Sequence, residues 1–271
     1  MTVVNHLGDV EIAANLRTVM PGKSSRQKST ERPKQFAPTR WSLVLHAQKT
    51  GDRGSVEALG ELCQAYWLPL FGYLRGRGYD PHAAEDLVQG FFEEVLEQST
   101  FSKADPERGQ FRTFLMSCLH NFVARQHRHD QRLKRGGGAR LLPLDVDADE
   151  AEARYARELT DVSGTPEEHF DRLWALTLLD RALQKLRSEY EGEASAKRFE
   201  VLQPFVSGAR GDLPMEEAAA KLGLTVQAVK SAVFRLRKRF TEIVREELRE
   251  LVDSDAAVQD ELRYLLGCIA S

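Results

Sequence analysis

Apolar residues recur at helical spacing along most of the chain. Between Val56 and Leu74 they fall at Leu59, Leu62, Cys63, Tyr66, Trp67, Leu70, Phe71 and Leu74, three or four apart, which predicts a helix with one buried stripe. Pro69 inside this run predicts a bend or a break, and the Arg75–Gly78 run predicts the end. Asp80 and Pro81 then have the residue types of a cap and a first helical position. The following helix turns Ala84, Leu87, Val88, Phe91, Phe92 and Val95 inward and His82, Glu85, Asp86, Gln89, Glu93 and Glu94 outward. After a loop near Asp105–Gly109, a third helix buries Phe111, Phe114, Leu115, Cys118, Leu119 and Phe122. Arg112, Ser117, His120, Asn121, Arg125 and Arg128 are expected largely off that stripe, and Gly136–Gly138 breaks the structure.

The pattern resumes in the second half. Helices are expected over Phe170–Tyr190, Ala194–Val206, Met215–Leu222 and from Thr225 to about Leu251, with a last one after Asp253–Asp255. No strand alternation and no internal repeat is evident, so the expected fold is all-α. Two helical domains, 39–136 and 170–252, are joined by an acidic linker, 137–169, with some helix near Glu150–Leu159. Residues 1–38 read as a disordered arm and 253–271 as a C-terminal helical extension that packs by default on the second domain.

One local pattern is sharper than the rest. Two helices that cross closely over a short turn need a small residue at the crossing, a residue tolerant of positive φ in the turn, and an apolar seal on the second helix. Ala219, Gly223 and Val229 meet these needs, and Thr225 can cap the second helix. Val226, Val229, Val233 and Leu236 then face inward. Gln227, Lys230, Ser231, Phe234, Arg235 and Lys238 form an outer face suited to a major groove.

Charge sharpens this picture although the net value is only −3. Residues 125–140 hold six Lys/Arg against one acid, and residues 225–239 hold five and none. Between them, residues 141–171 hold ten acids against two Arg. Two basic blocks around an acidic connector point to nucleic acid rather than to a uniformly mixed surface. No apolar run approaches the ~20 residues of a membrane span, and the N-terminal residues lack the basic start and apolar core of a signal peptide. Three cysteines, Cys63, Cys118 and Cys268, are widely spaced and odd in number, which fits reduced thiols in a cytoplasmic protein. His120, His127 and His129 lack a completing carboxylate or thiol, so no metal site is expected. No phosphate loop, metal-ligand spacing or nucleophile with a base is present. We therefore expect no catalytic residue, no cofactor and no enzymatic activity.

The stretches AAEDLVQGFFEEVLE and GQFRTFLMSCLHNFVARQHRHDQR resemble regions two-point-two to two-point-four of bacterial extracytoplasmic-function (ECF) sigma factors. EEAAAKLGLTVQAVKSAVFRLRKRF resembles their region four. The resemblance covers roughly residues 40–135 and 170–245, in the family's order. The layout looks like a subset with a Thr-Arg-Trp-Ser start at Thr39–Ser42 and a C-terminal extension. It implies a specificity subunit of RNA polymerase. Glu85, Asp86, Gln89 and Glu93 would dock on core polymerase, and Arg112, His120, Asn121, Arg125 and Arg128 would handle the minus-ten promoter element. Gln227, Lys230, Ser231, Phe234, Arg235 and Lys238 would read the minus-thirty-five element. Asn121 matches the family's recurrent Asn. Ala228 and Ala232 depart from it, standing where many members have Thr and Arg, which weakens or alters upstream recognition. An anti-sigma factor or a regulatory kinase is the kind of regulator the resemblance admits.

A stand-alone helix-turn-helix regulator is the alternative. It would need only the second domain, normally as a dimer, and leaves the acidic Glu85–Glu94 face without a use. A more speculative expectation concerns the linker. Its acids, among them Asp145, Asp147, Asp149, Glu150 and Glu152, would fold back on the basic faces until polymerase engages.

Overall fold

A computed structural model describes residues 53–97, 111–130, 148–159, 164–207, 214–249 and 255–270. The expected N-terminal arm, the loop at Asp105–Gly109 and the Gly136–Gly138 break lie outside these residues. Among the described residues every regular element is a helix, so the all-α expectation holds. In chain order these are α1 (Arg53–Gly76), α2 (Pro81–Glu97), α3 (Phe111–Asp130), α4 (Ala148–Leu159) and α5 (Pro166–Ser188). They are followed by α6 (Glu193–Leu202), α7 (Pro204–Ser207), α8 (Met215–Leu222), α9 (Val226–Arg249) and α10 (Asp255–Ala270).

The helix boundaries follow from local chemistry. α1 runs unbroken through Pro69, which is buried together with its neighbours Leu70 and Phe71, so the packed stripe outweighs the missing N–H. The Ala83 amide donates to Asp80 Oδ1 at 3.0 Å, so Asp80 caps α2 ahead of Pro81. α5 begins four residues before the expected start. Thr165 and Glu168 form a reciprocal capping box there, with amide-to-side-chain distances of 3.2 and 2.8 Å, and Pro166 takes the first helical position. The helix expected over Ala194–Val206 is divided at Gln203, where Pro204 supplies no amide to continue it.

The chain divides into two compact units. One takes α1 to α4 with α5 up to Trp174, together with Arg249–Glu261. Its core centres on Leu70, Phe71, Val88, Phe92, Leu115 and Leu119, none of them exposed. Trp67 stacks on Phe71 at 5.2 Å between centroids, and Phe91 meets Phe122 edge-on at 5.8 Å. At Gly72 α1 approaches α5 so closely that a side chain there would collide with Leu173. α4 lies within the stretch expected as a linker. It packs on α1 and α2, where Tyr155 meets Phe71 at 6.4 Å.

The other unit takes Ala175–Leu248 with Leu262–Ser271. Its core is built from Ala182, Leu186, Phe199, Phe205, Val229, Ile243, Val244, Leu248, Leu262 and Ile269. α10 thus contributes its later residues to the unit that holds α8 and α9, and its earlier ones, up to Glu261, to the first.

Candidate polymerase and nucleic-acid interfaces

In the second unit, α8 and α9 form the expected helix-turn-helix. Ala218 and Ala219 are buried at the crossing. Gly223 adopts φ 62° and ψ 33°, a left-handed conformation that a side chain resists, and the Leu224 amide returns to the Ala219 carbonyl at 3.0 Å. Thr225 caps α9, accepting the Ala228 amide on Oγ1 at 3.2 Å. Val229, Val233 and Leu236 are buried, while Val226 is only half-buried.

This burial turns a cationic face outward. Gln227, Lys230, Phe234, Arg235 and Lys238 are exposed, and Phe234 is 62% exposed, the most open of the large apolar side chains described. Ser231 is half-buried and its hydroxyl donates to the Gln227 carbonyl at 3.0 Å. Lys238 lies 3.9 Å from Glu242, one turn on. The remaining two cations of the basic block serve the fold. Arg237 donates to the Phe205 carbonyl at 3.0 Å. Arg239 is gripped by Glu189 at 2.5 Å and Glu246 at 3.0 Å, and its hydrogen bonds hold the Glu189 carboxyl below the usual range. Ala232 is buried, so this departure from the family pattern lies under the helix rather than on its outer face.

In the first unit, Glu85, Asp86, Gln89 and Glu93 share one side of α2, as their spacing requires. Asp86 is exposed and the other three are half-buried, with Gln89 donating to Glu85 at 3.3 Å. Glu94 is turned away to pair with Arg125 on α3.

On α3, His120, Asn121, Arg125 and Arg128 are all exposed. His120 is fixed by the hydroxyl of buried Tyr73 at 2.5 Å, and Arg128 folds back to the Ala124 carbonyl at 3.0 Å. Arg112 does not join them. It is 8% exposed, pairs with Glu261 of α10 at 3.0 Å, and lies with its guanidinium 4.8 Å from the Trp174 ring. Asp171 stands 4.0 Å away. The reason is periodicity: Arg112 precedes Leu115 and Leu119 by three and seven residues and so lies on the buried stripe. Burial raises the Glu261 carboxyl pKa, and Arg112 acts against that rise.

Two structural features were not read from the sequence. Glu152 of α4 grips Arg75 through both oxygens at 2.8 Å, so one of the acids expected to fold back is engaged with a cation of α1. Asp145 and Asp147 lie outside the described residues. Tyr79, in the turn after α1, stacks on His127 of α3 at 5.9 Å between centroids. A lone tyrosine in a turn has no periodicity to reveal such a contact. None of the three cysteines is in a disulfide, and burial pushes the Cys63 thiol up to about 12.

These features define an all-helical protein whose helix-turn-helix presents an open cationic face. The ECF sigma factor family model matches residues 80–262, more than half of the chain, and the chain belongs to that family. Its role is therefore that of a sigma factor in transcription initiation, a family whose partners are core RNA polymerase and promoter DNA. The matched range includes residues 137–169 and extends into α10. No curated protein and no solved structure matches the chain. Among the described residues no helix is long and apolar enough to cross a membrane.

Proposed function

We propose that this sigma factor divides its work among three faces. The α2 face of Glu85, Asp86, Gln89 and Glu93 docks on core polymerase. His120, Asn121, Arg125 and Arg128 on α3 hold the minus-ten element, and Arg112 serves them from beneath as the buried brace of that helix. Gln227, Lys230, Ser231, Phe234, Arg235 and Lys238 on α9 read the minus-thirty-five element, with the cations neutralising phosphates. The reading places the protein in the cytoplasm, with no cofactor and no catalysis of its own.

The observation that carries this reading is the open outer face of α9. Lys230, Arg235 and Lys238 surround exposed Phe234 on a helix whose inner side buries Val229, Val233, Leu236 and Phe240. The decisive test is reconstitution with core polymerase followed by mapping of transcript start sites. We expect co-purification with core and initiation at defined promoters, with weak DNA binding by the free protein. Tight sequence-specific binding without polymerase, and no association with core, would instead identify a stand-alone regulator.

A further inference from the structure

α4 is fastened to the first unit by a polar clasp on one edge and a buried side beneath. In the clasp, both oxygens of Glu152 accept from the Arg75 guanidinium at 2.8 Å, and that guanidinium lies 5.2 Å from the Tyr155 ring centroid. Tyr155 in turn meets Phe71 of α1 at 6.4 Å and His169 of α5 at 6.3 Å, edge-on in both cases. Solvent reaches this clasp, since the Arg75 and Glu152 side chains are 20% and 29% exposed.

The buried side is of different quality. It carries Ala151, Glu158 and Leu159, and Glu158 is only 3% exposed. One Glu158 oxygen takes the Arg157 guanidinium at 3.1 Å. Among the described residues its other oxygen has no hydrogen-bond partner, and neither has either ring nitrogen of buried His169. A side chain at Gly76 of α1 would come within 2.9 Å of His169 Nδ1, so this imidazole sits where α1, α4 and α5 meet. Buried polar atoms without partners penalise the docked helix, and water relieves the penalty when the helix lifts. A directional clasp above an unsatisfied underside gives α4 one defined seat and a shallow hold on it, which is how an element with two states is built. α4 also packs on α2, the helix that bears Glu85, Asp86, Gln89 and Glu93, so a partner that grips α2 acts on that seat.

We propose that α4 is an autoinhibitory latch: seated on α1 and α2 it keeps the free protein in a form that core polymerase binds weakly, and core binding lifts it. This rests on the assignment of the α2 face to core polymerase. The apparent affinity for core is then that of the open form multiplied by the fraction of molecules that are open.

The test titrates the full chain against core polymerase and follows amide hydrogen exchange. Glu152→Gln weakens the clasp and should raise the affinity for core roughly 2- to 10-fold. In the free protein it should speed exchange across residues 148–159 and leave Leu70–Leu74 of the core unchanged. Glu158→Leu removes the unsatisfied carboxylate, tightens the seat and should lower the affinity roughly 5- to 150-fold. The opposite signs separate a latch from a helix that merely supports the docking face, for which Glu152→Gln would weaken core binding. In the wild type, exchange across 148–159 should rise when the holoenzyme forms. The latch is overturned if Glu152→Gln leaves core binding unchanged or weaker, or if 148–159 stays as protected in the holoenzyme as in the free chain. Glu152→Gln and the exchange data carry the test should Glu158→Leu fail to fold. Absence of any core binding by the wild type would overturn the functional reading and the latch together, a result distinct from these.

Discussion

α3 and α9 both carry arginines, but they use their cations differently. On α3 the guanidinium groups are tied into the fold. Arg112 is buried against Glu261 and Trp174, Arg125 is paired with Glu94, and Arg128 returns to its own backbone. Within the basic block of α9, residues 225–239, the cations divide in two. Arg237 and Arg239 are structural, while Lys230, Arg235 and Lys238 face outward. A helix that must present a fixed arrangement benefits from braced side chains, whereas one that follows phosphates needs only solvated charge at the right spacing.

The comparison can be broken most sharply at Arg112. Arg112→Ala leaves Glu261 buried without its partner and should cost about 3–5 kcal/mol of stability at neutral pH, measured by urea unfolding. The loss should shrink under acid. The folded-state pKa of Glu261 is already raised by burial and rises further without Arg112, so the penalty of its ionised form is absent below the ordinary carboxylate range and grows as pH rises through the folded value. An undiminished stability at pH 8 would place Arg112 on an open face after all.

α9 is instead oriented by backbone. Gly223→Ala forces a side chain into the left-handed turn and should cost about 1–2 kcal/mol, read from the shift in the urea midpoint. The outward cations should show the opposite behaviour. Lys230→Ala, Arg235→Ala and Lys238→Ala should each leave stability within about 0.5 kcal/mol. Each should also lower the salt dependence of holoenzyme binding to promoter DNA by about one unit of slope. A stability loss without a change in slope would assign them to the fold.

The smallest effect is expected at Glu189. Its folded pKa is depressed by Arg239, so its contribution is present above the ordinary carboxylate range and is lost as pH falls through the folded value. Both groups are about one-third exposed, which limits the effect to under about 1 kcal/mol. Glu189→Gln should therefore flatten the acid limb of the stability curve only slightly.

The helix-turn-helix was legible because its requirements are local: Ala219, Gly223, Thr225 and Val229 lie within eleven residues and each has a steric or hydrogen-bonding reason. The stripes of α1 and α2 were legible for the same reason. Arg112 was not, because residue type and periodicity disagreed there and its partner lies 149 residues further on. α4 was only partly legible. Its acidic surface reads as a spacer, and the residues that dock it, Glu152 and Tyr155, find Arg75 and Phe71 only after folding. Tyr79 and His127 meet across 48 residues, with no repeat to announce them.

The depth of Cys63 has a practical use. A sulfur kept protonated to about pH 12 inside the core resists maleimides at neutral pH, whereas Cys118 and Cys268 are half-buried and in no disulfide. Those two fall in different units. Mild alkylation of the unmodified sequence should therefore attach one fluorophore to each unit, giving a ready-made energy-transfer pair to follow what polymerase does to this protein on binding.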